Sequence, residues 1–522
     1  MKAGGAKRTF VFLVVLGAAV LGISGAGGAR RPDPAQDPPP PAASASESAL
    51  PPEALKADLE VLWDILAEGH GALDRYTPEA TLRKSFNTAG AGLTGPLSPV
   101  DLYARLLPLV AEVKDGHTRL AMSADDERAF DARPILIPFA PRFLGDKAYV
   151  LRDLSPERSV GDGAELLAID GRPVAEVVSA LLPLIPSDAG IRTAKLRSLE
   201  SAGEFGRLLA LRFGPRDSNR VRFCPFRSAA IKEAAVPGIS RTDLFRLLRE
   251  RAPAAAERRP SYELGFEGGT AVLTIRQFAD DPDKTRPRFA EFLTASFAAL
   301  DEKKAPGLVI DLRGNGGGLD EYGKLLFAHV MERPFLYYWK IEAKKDHYDF
   351  FRYTGETPQA AEEFAGALRP DGQGGFEVPG HPNRGLQATL KPHFAGRVAI
   401  LIDGGSRSTT GEVISAFHYY KKAAFFGEEG GAGYYGTTTY LVTATLPASR
   451  IRITLPLVKC VMAVEGYPHD RGLVPDVAVA PTIEDLMAGR DLVMERALTS
   501  LRREPRGRAA RGTPETKPSD RR

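Results

Sequence analysis

The chain has 522 residues, 43% of them hydrophobic and 26% charged, with a formal net charge of +3. That length exceeds a single compact core, so two or three domains are expected. The near-balanced charge, with no basic patch laced with aromatics, argues against a nucleic-acid partner, and two cysteines with scattered histidines offer no metal site.

In chain order, Lys2, Lys7 and Arg8 precede an apolar run from Phe10 to Ile23, and small residues follow to Gly27-Gly28-Ala29. This is the three-part pattern of a signal peptide over 1–29. The apolar run is about 14 residues, short of the roughly 20 that span a bilayer. The expectation is an exported protein, periplasmic or secreted, with no stable span after cleavage and a membrane tether only if the signal is retained. Residues 30–52, with Pro38 to Pro41 and then Ala/Ser alternation, read as an extended linker.

Helical spacing of Leu55, Leu59, Leu62, Trp63 and Leu66, then of Leu102, Leu106, Leu107 and Val110, predicts a helical region over 53–130. Short β-type runs mark a module over 131–190, including Val150-Leu151 and Leu166 to Ile169 before the turn pair Asp170-Gly171. Residues 191–501 form the main α/β part. Its continuous apolar strands are Thr270–Ile275, Gly307–Leu312 and Val398–Ile402, suited to a sheet covered on both faces. Helices are expected at Arg286–Leu300, Glu321–Val330, Gly411–Tyr420 and Ile483–Leu501, the last capped by Thr482 with Asp485. A basic tail without apolar periodicity occupies 502–522. Cys224 and Cys460 could pair in an oxidising compartment, which spacing alone leaves open.

Three separated stretches supply the parts of acyl transfer. Asp115-Gly116-His117-Thr118 offers a histidine base. Asp311-Leu312-Arg313-Gly314-Asn315-Gly316-Gly317-Gly318 ends a buried strand in bare backbone amides, without the spacing of a phosphate loop. Gly405-Ser406-Arg407-Ser408-Thr409-Thr410-Gly411-Glu412 places hydroxyls at a strand-turn-helix junction. Taken alone, those hydroxyls could simply cap a helix.

Together with Gly163-Ala164-Glu165-Leu166-Leu167-Ala168-Ile169-Asp170-Gly171-Arg172-Pro173-Val174 and Arg471-Gly472-Leu473-Val474-Pro475-Asp476, these motifs occur in the order found in the tail-specific (C-terminal processing) proteases. The chain resembles the tricorn-core-like, serine/histidine branch of that family. The resemblance implies a mixed α/β fold: a Clp-protease/crotonase-like core, a PDZ-like β-rich module and an N-terminal helical region. It implies serine endopeptidase activity on peptides or unfolded proteins, without a cofactor. By the same resemblance Ser408 is the nucleophile, with Thr409 or Ser406 as the fallback. His117 is the base, and the N–H groups of Gly317 and Thr409 form the oxyanion hole.

Two departures qualify the match. The branch with a lysine base carries it about 25 residues past the serine, where this chain has Gly427-Glu428-Glu429-Gly430-Gly431-Ala432-Gly433-Tyr434 and no lysine. In much of the family the serine also stands three residues before the glutamate, the place of Thr409 here. An acid should orient the histidine, and Glu465 is preferred over Asp470. The alternatives are a catalytically inactive peptide-binding relative and a small-molecule esterase using the same serine. The absent Gly-x-Ser-x-Gly elbow weighs against the α/β-hydrolase version of the latter.

Overall fold

A computed structural model describes residues 49–251 and 259–502. The expected signal peptide, nearly all of the linker and all but Arg502 of the basic tail lie outside the described residues. The architecture is mixed α/β, built on three principal sheets.

The central sheet runs in the order Val477–Ala478, Ala424–Gly427, Arg397–Ile402, Gly307–Asp311, Thr270–Ile275 and Tyr262–Glu267. All neighbours are parallel except the last pair, an antiparallel hairpin. The apolar runs legible in the sequence are its inner strands, and residues 308–310 and 398–402 are buried. A parallel sheet covered on both faces requires such runs. Helices Phe289–Glu302, Asp320–Ala328 and Thr409–Tyr419 match their expected spans to within three residues at either end.

The C-terminal helix departs from expectation. It is two helices, Ile483–Met487 and Leu492–Arg502. The expected Thr482/Asp485 capping box is present. The break falls where Gly489 takes φ 67° and Asp491 starts the next helix by accepting the Met494 N–H. A glycine in the left-handed region followed by an Asx cap ends one helix and begins another.

A second sheet has the order Arg119–Ala121, Arg452–Met462, Tyr338–Ala343, Phe376–Glu377 and Arg369–Pro370, with Thr438–Thr445 also on the long strand. The N-terminal helices dock on it. Asp58 of helix Pro52–Gly69 accepts from the backbone N–H groups of Ala448 and Ser449, and Gly71 donates to the Pro456 carbonyl.

The third sheet is antiparallel and includes Phe139–Leu144, Lys147–Asp153, Glu165–Ile169, Ser218–Cys224 and Lys232–Pro237. It therefore runs 47 residues past the boundary expected at 190 (237 − 190). Strand Ser218–Cys224 buries only every second residue, Asn219, Val221 and Phe223. Its arginines mask the apolar positions when read along the chain. The Asp170-Gly171 turn is as expected, both residues having positive φ. Cys224 and Cys460 are both free, the first half-buried and the second buried, so no disulfide joins them.

Candidate active site

The glycine loop and the serine turn leave the carboxyl ends of adjacent parallel strands, Gly307–Asp311 and Arg397–Ile402. Ligand sites of open α/β sheets form at such ends. The two turns are cross-linked. Leu312 N–H donates to the Leu401 carbonyl and Arg407 N–H to the Asn315 carbonyl, 3.0 Å each. Gly314 N–H donates to Asp403 Oδ1 at 2.8 Å, and Ser406 Oγ donates to the Leu312 carbonyl at 2.8 Å.

These bonds sort the candidate hydroxyls. Ser406 is buried and committed to Leu312. Thr409 Oγ1 donates to the Gly318 carbonyl at 2.7 Å. Ser408 stands at the N-cap of helix Thr409–Tyr419 yet makes no side-chain cap bond. Its backbone has φ 53° and ψ −128°, a region a side-chain-bearing residue occupies at a cost and that recurs at functional sites. The strain turns its Oγ away from the helix end and toward His117, whose Nε2 lies 3.1 Å away.

His117 arrives from the second sheet. It precedes strand Arg119–Ala121, and Thr438 begins a strand on the opposite side of Arg452–Met462. His117 Nδ1 lies 3.1 Å from Thr438 Oγ1 and 3.4 Å from Thr437 Oγ1. Thr438 Oγ1 in turn lies 2.7 Å from Asp115 Oδ1. A carboxylate only accepts, so the single hydrogen of Thr438 goes to Asp115 and its lone pair receives the Nδ1–H of His117. The network thus assigns the tautomer and leaves the Nε2 lone pair facing Ser408.

Behind Asp115 is a second buried chain. Ala72 N–H donates to His70 Nδ1 at 3.0 Å, His70 Nε2 donates to Thr118 Oγ1 at 2.8 Å, and Thr118 donates to Asp115 Oδ2 at 2.6 Å. Burial by itself would push the Asp115 carboxyl up. The neighbouring imidazole of His70, then His117 and the Thr118 hydroxyl, hold it well below the usual carboxylate range. The loop is pinned from its other side by Asp188 Oδ1, which accepts Gly116 N–H at 2.8 Å. Burial and then the Asp115 charge push the Asp188 carboxyl up.

Two expectations need correction. Glu465 and Asp470 are exposed and are not among the partners of His117. Thr438 holds that place and Asp115 stands behind it. The Gly317 N–H is not available either, because it donates to Asn315 Oδ1 at 2.9 Å. Gly317 is needed for close approach: its φ is 104°, and a Cβ there would stand 2.6 Å from Ser408 Cβ. The next amide is differently placed. The Gly317 carbonyl accepts Phe278 N–H at 2.9 Å, so the Gly318 N–H of the same planar peptide points the opposite way. Gly318, Ser408, Thr409 and His117 line one cleft of about 270 Å³. Among the described residues no lysine lines that cleft, and Lys422 pairs with Glu332 at 3.1 Å.

The fold is one shared with serine-type peptidases. Residues 269–479 match the model of peptidase family S41. No curated protein is similar enough in sequence to count as a relative. Among solved structures, mature CPAF complexed with lactacystin shares the fold at 16% identity and a TM-score of 0.59, over 86% of this chain and 98% of that one. Mature CPAF crystallised separately gives 15% identity and a TM-score of 0.58, over 86% and 96%.

Proposed function

We propose that the chain is an exported serine endopeptidase that hydrolyses peptide bonds in peptides or unfolded proteins. Ser408 Oγ attacks the scissile carbonyl while His117 Nε2 takes its proton, and the imidazolium then protonates the departing amine. The proton on Nδ1 stays on the ring, bonded to Thr438, and the Asp115 charge behind Thr438 favours the imidazolium as it forms. The N–H groups of Thr409 and Gly318 stabilise the tetrahedral oxygen, each donor being worth about 3 kcal/mol. Water attacks the acyl-enzyme by the same route in reverse.

The observation that carries this reading is the 3.1 Å contact between His117 Nε2 and the Oγ of a serine held at positive φ. Export rests on the residue pattern over 1–29. Among the described residues no helix is long and apolar enough to cross a membrane. The antiparallel sheet over 139–237 is read as the PDZ-like module that handles substrate segments.

A mass-spectrometric digest of a diverse peptide library tests the proposal. Cleavage by the native enzyme is expected to vanish in both Ser408→Ala and His117→Ala. Cleavage that survives Ser408→Ala and disappears in Thr409→Ala would move the nucleophile by one residue. Peptides bound but never cut by the native protein would make it a binding relative.

A further inference from the structure

The floor of the cleft contains a carboxyl group that this mechanism does not use. Glu412 lies one turn beyond Ser408 on helix Thr409–Tyr419, and residues four apart share a helix face. Its side chain leans back toward the helix start, and both residues line the same cleft. Glu412 is 1% exposed and lines the cleft together with Asp320, Tyr338 and Cys460.

The proton count at this floor is informative. The Tyr338 hydroxyl lies 2.8 Å from Glu412 Oε2 and 3.0 Å from Asp320 Oδ2. A phenol has one hydrogen, so it cannot donate to two carboxylates. The count closes when Glu412 holds a proton on Oε2 and donates it to Tyr338, while Tyr338 donates to Asp320. His381 Nε2 stands 3.3 Å from the same Asp320 oxygen. Burial, then the Asp320 charge, push the Glu412 carboxyl up to about 8, in agreement with this arrangement. Oε1 is then the carbonyl oxygen of a neutral acid, and it has no hydrogen-bond partner among the described residues. A buried acceptor without a donor is costly.

The groups around Glu412 define what would satisfy it. Asp320 is the nearby negative charge. Arg75 acts on Glu412 from a distance, with its own donors engaged by the Gly436 and Cys460 carbonyls. Arg119 also lines the cleft, but it stands two residues from His117 and its charge partner is Asp115. An apolar side chain on this floor would leave Oε1 unpaired, and a carboxylate would meet Asp320. A cationic donor supplies the missing hydrogen and sets its charge against Asp320.

We propose that Glu412, Tyr338 and Asp320 form a specificity pocket for a lysine or arginine side chain of the substrate residue whose carbonyl Ser408 attacks. This rests on the peptidase reading above. Entry of the cation favours ionised Glu412, whose proton leaves to solvent.

The test separates the pocket from the chemistry. Peptides identical except for lysine, norleucine or glutamate at one position are titrated calorimetrically into Ser408→Ala and into Ser408→Ala/Glu412→Gln. Cleavage by the native enzyme is followed in parallel. The lysine peptide is expected to bind Ser408→Ala about tenfold tighter than norleucine, as a charge-assisted bond predicts. That margin should largely vanish in the double variant. Equal binding of lysine and norleucine by Ser408→Ala overturns the pocket without reference to any Glu412 variant, and so does a lysine preference that survives Glu412→Gln. A lysine preference without cleavage by the native protein would sink the peptidase reading and leave the pocket. Ser408-dependent cleavage indifferent to lysine would do the reverse.

Discussion

At the scale of single residues, the unusual feature is a threonine where a triad would place its acid. Thr438 passes the Asp115 charge to His117 through one hydroxyl, 2.7 Å from the carboxylate and 3.1 Å from the ring. A hydroxyl both donates and accepts, so it fixes the imidazole tautomer as a carboxylate would while keeping the charge one bond further off. Thr438→Val preserves shape and removes the relay. Its kcat should fall about 10²-fold, within the span of acid–base contributions, with KM little changed. Thr438→Ser should stay within a few-fold of native. Steady-state kinetics on one peptide decides it, and a KM-dominated loss would instead mean that Thr438 binds substrate.

At the scale of elements, the site depends on two loops from neighbouring parallel strands approaching more closely than side chains normally permit. Gly317 lies against Ser408, and Arg407 holds the serine turn to helix Arg192–Leu199 through the Ala194 carbonyl at 2.6 Å and Ser198 Oγ at 3.0 Å. Gly317→Ala adds a methyl group where none fits and at a φ that disfavours it. The expected result is a kcat lower by about 10²-fold, because a nucleophile displaced by an ångström loses most of its alignment. Circular dichroism should remain native. Unchanged kcat in a folded Gly317→Ala protein would show that the two loops can separate freely.

At the scale of the whole molecule, the cleft lies where the central sheet, the second sheet and the segment carrying Pro186, Asp188 and Ala194 meet, so charges buried there weigh on global stability. Glu412 is the clearest case. Its folded pKa of about 8 exceeds the usual 4.5, so the fold holds a proton that the unfolded chain releases between those values. The associated stability is complete below about pH 4.5 and is lost as pH rises to about 8. Comparing denaturant unfolding of native protein and Glu412→Gln across that window should show the native protein losing more, by on the order of 5 kcal/mol at most. Parallel curves would place the proton elsewhere in the cluster.

What the sequence by itself determined is what local chemistry encodes. Continuous apolar runs located the inner strands of the central sheet, and the glycine cluster after Asp311 together with the hydroxyls around Ser408 marked the two loops at their ends. His117, the proposed base, stands in a motif of four residues, Asp115 to Thr118. Tertiary structure alone decided the rest. Thr438 and Asp115 are 323 positions apart, and the sole trace of their contact was a run of three threonines, Thr437 to Thr439. Glu465 stands just before the Gly472-Leu473-Val474-Pro475-Asp476 motif, but a position along the chain does not determine distance to an imidazole. The proposed choice between the Gly317 and Gly318 amides rests on one bond to the Asn315 side chain, and that among Ser406, Ser408 and Thr409 on which hydroxyl the packed loops leave uncommitted. Hydrogen-bond directions are fixed only when distant segments are brought together, because each donor goes to the acceptor that folding places in front of it.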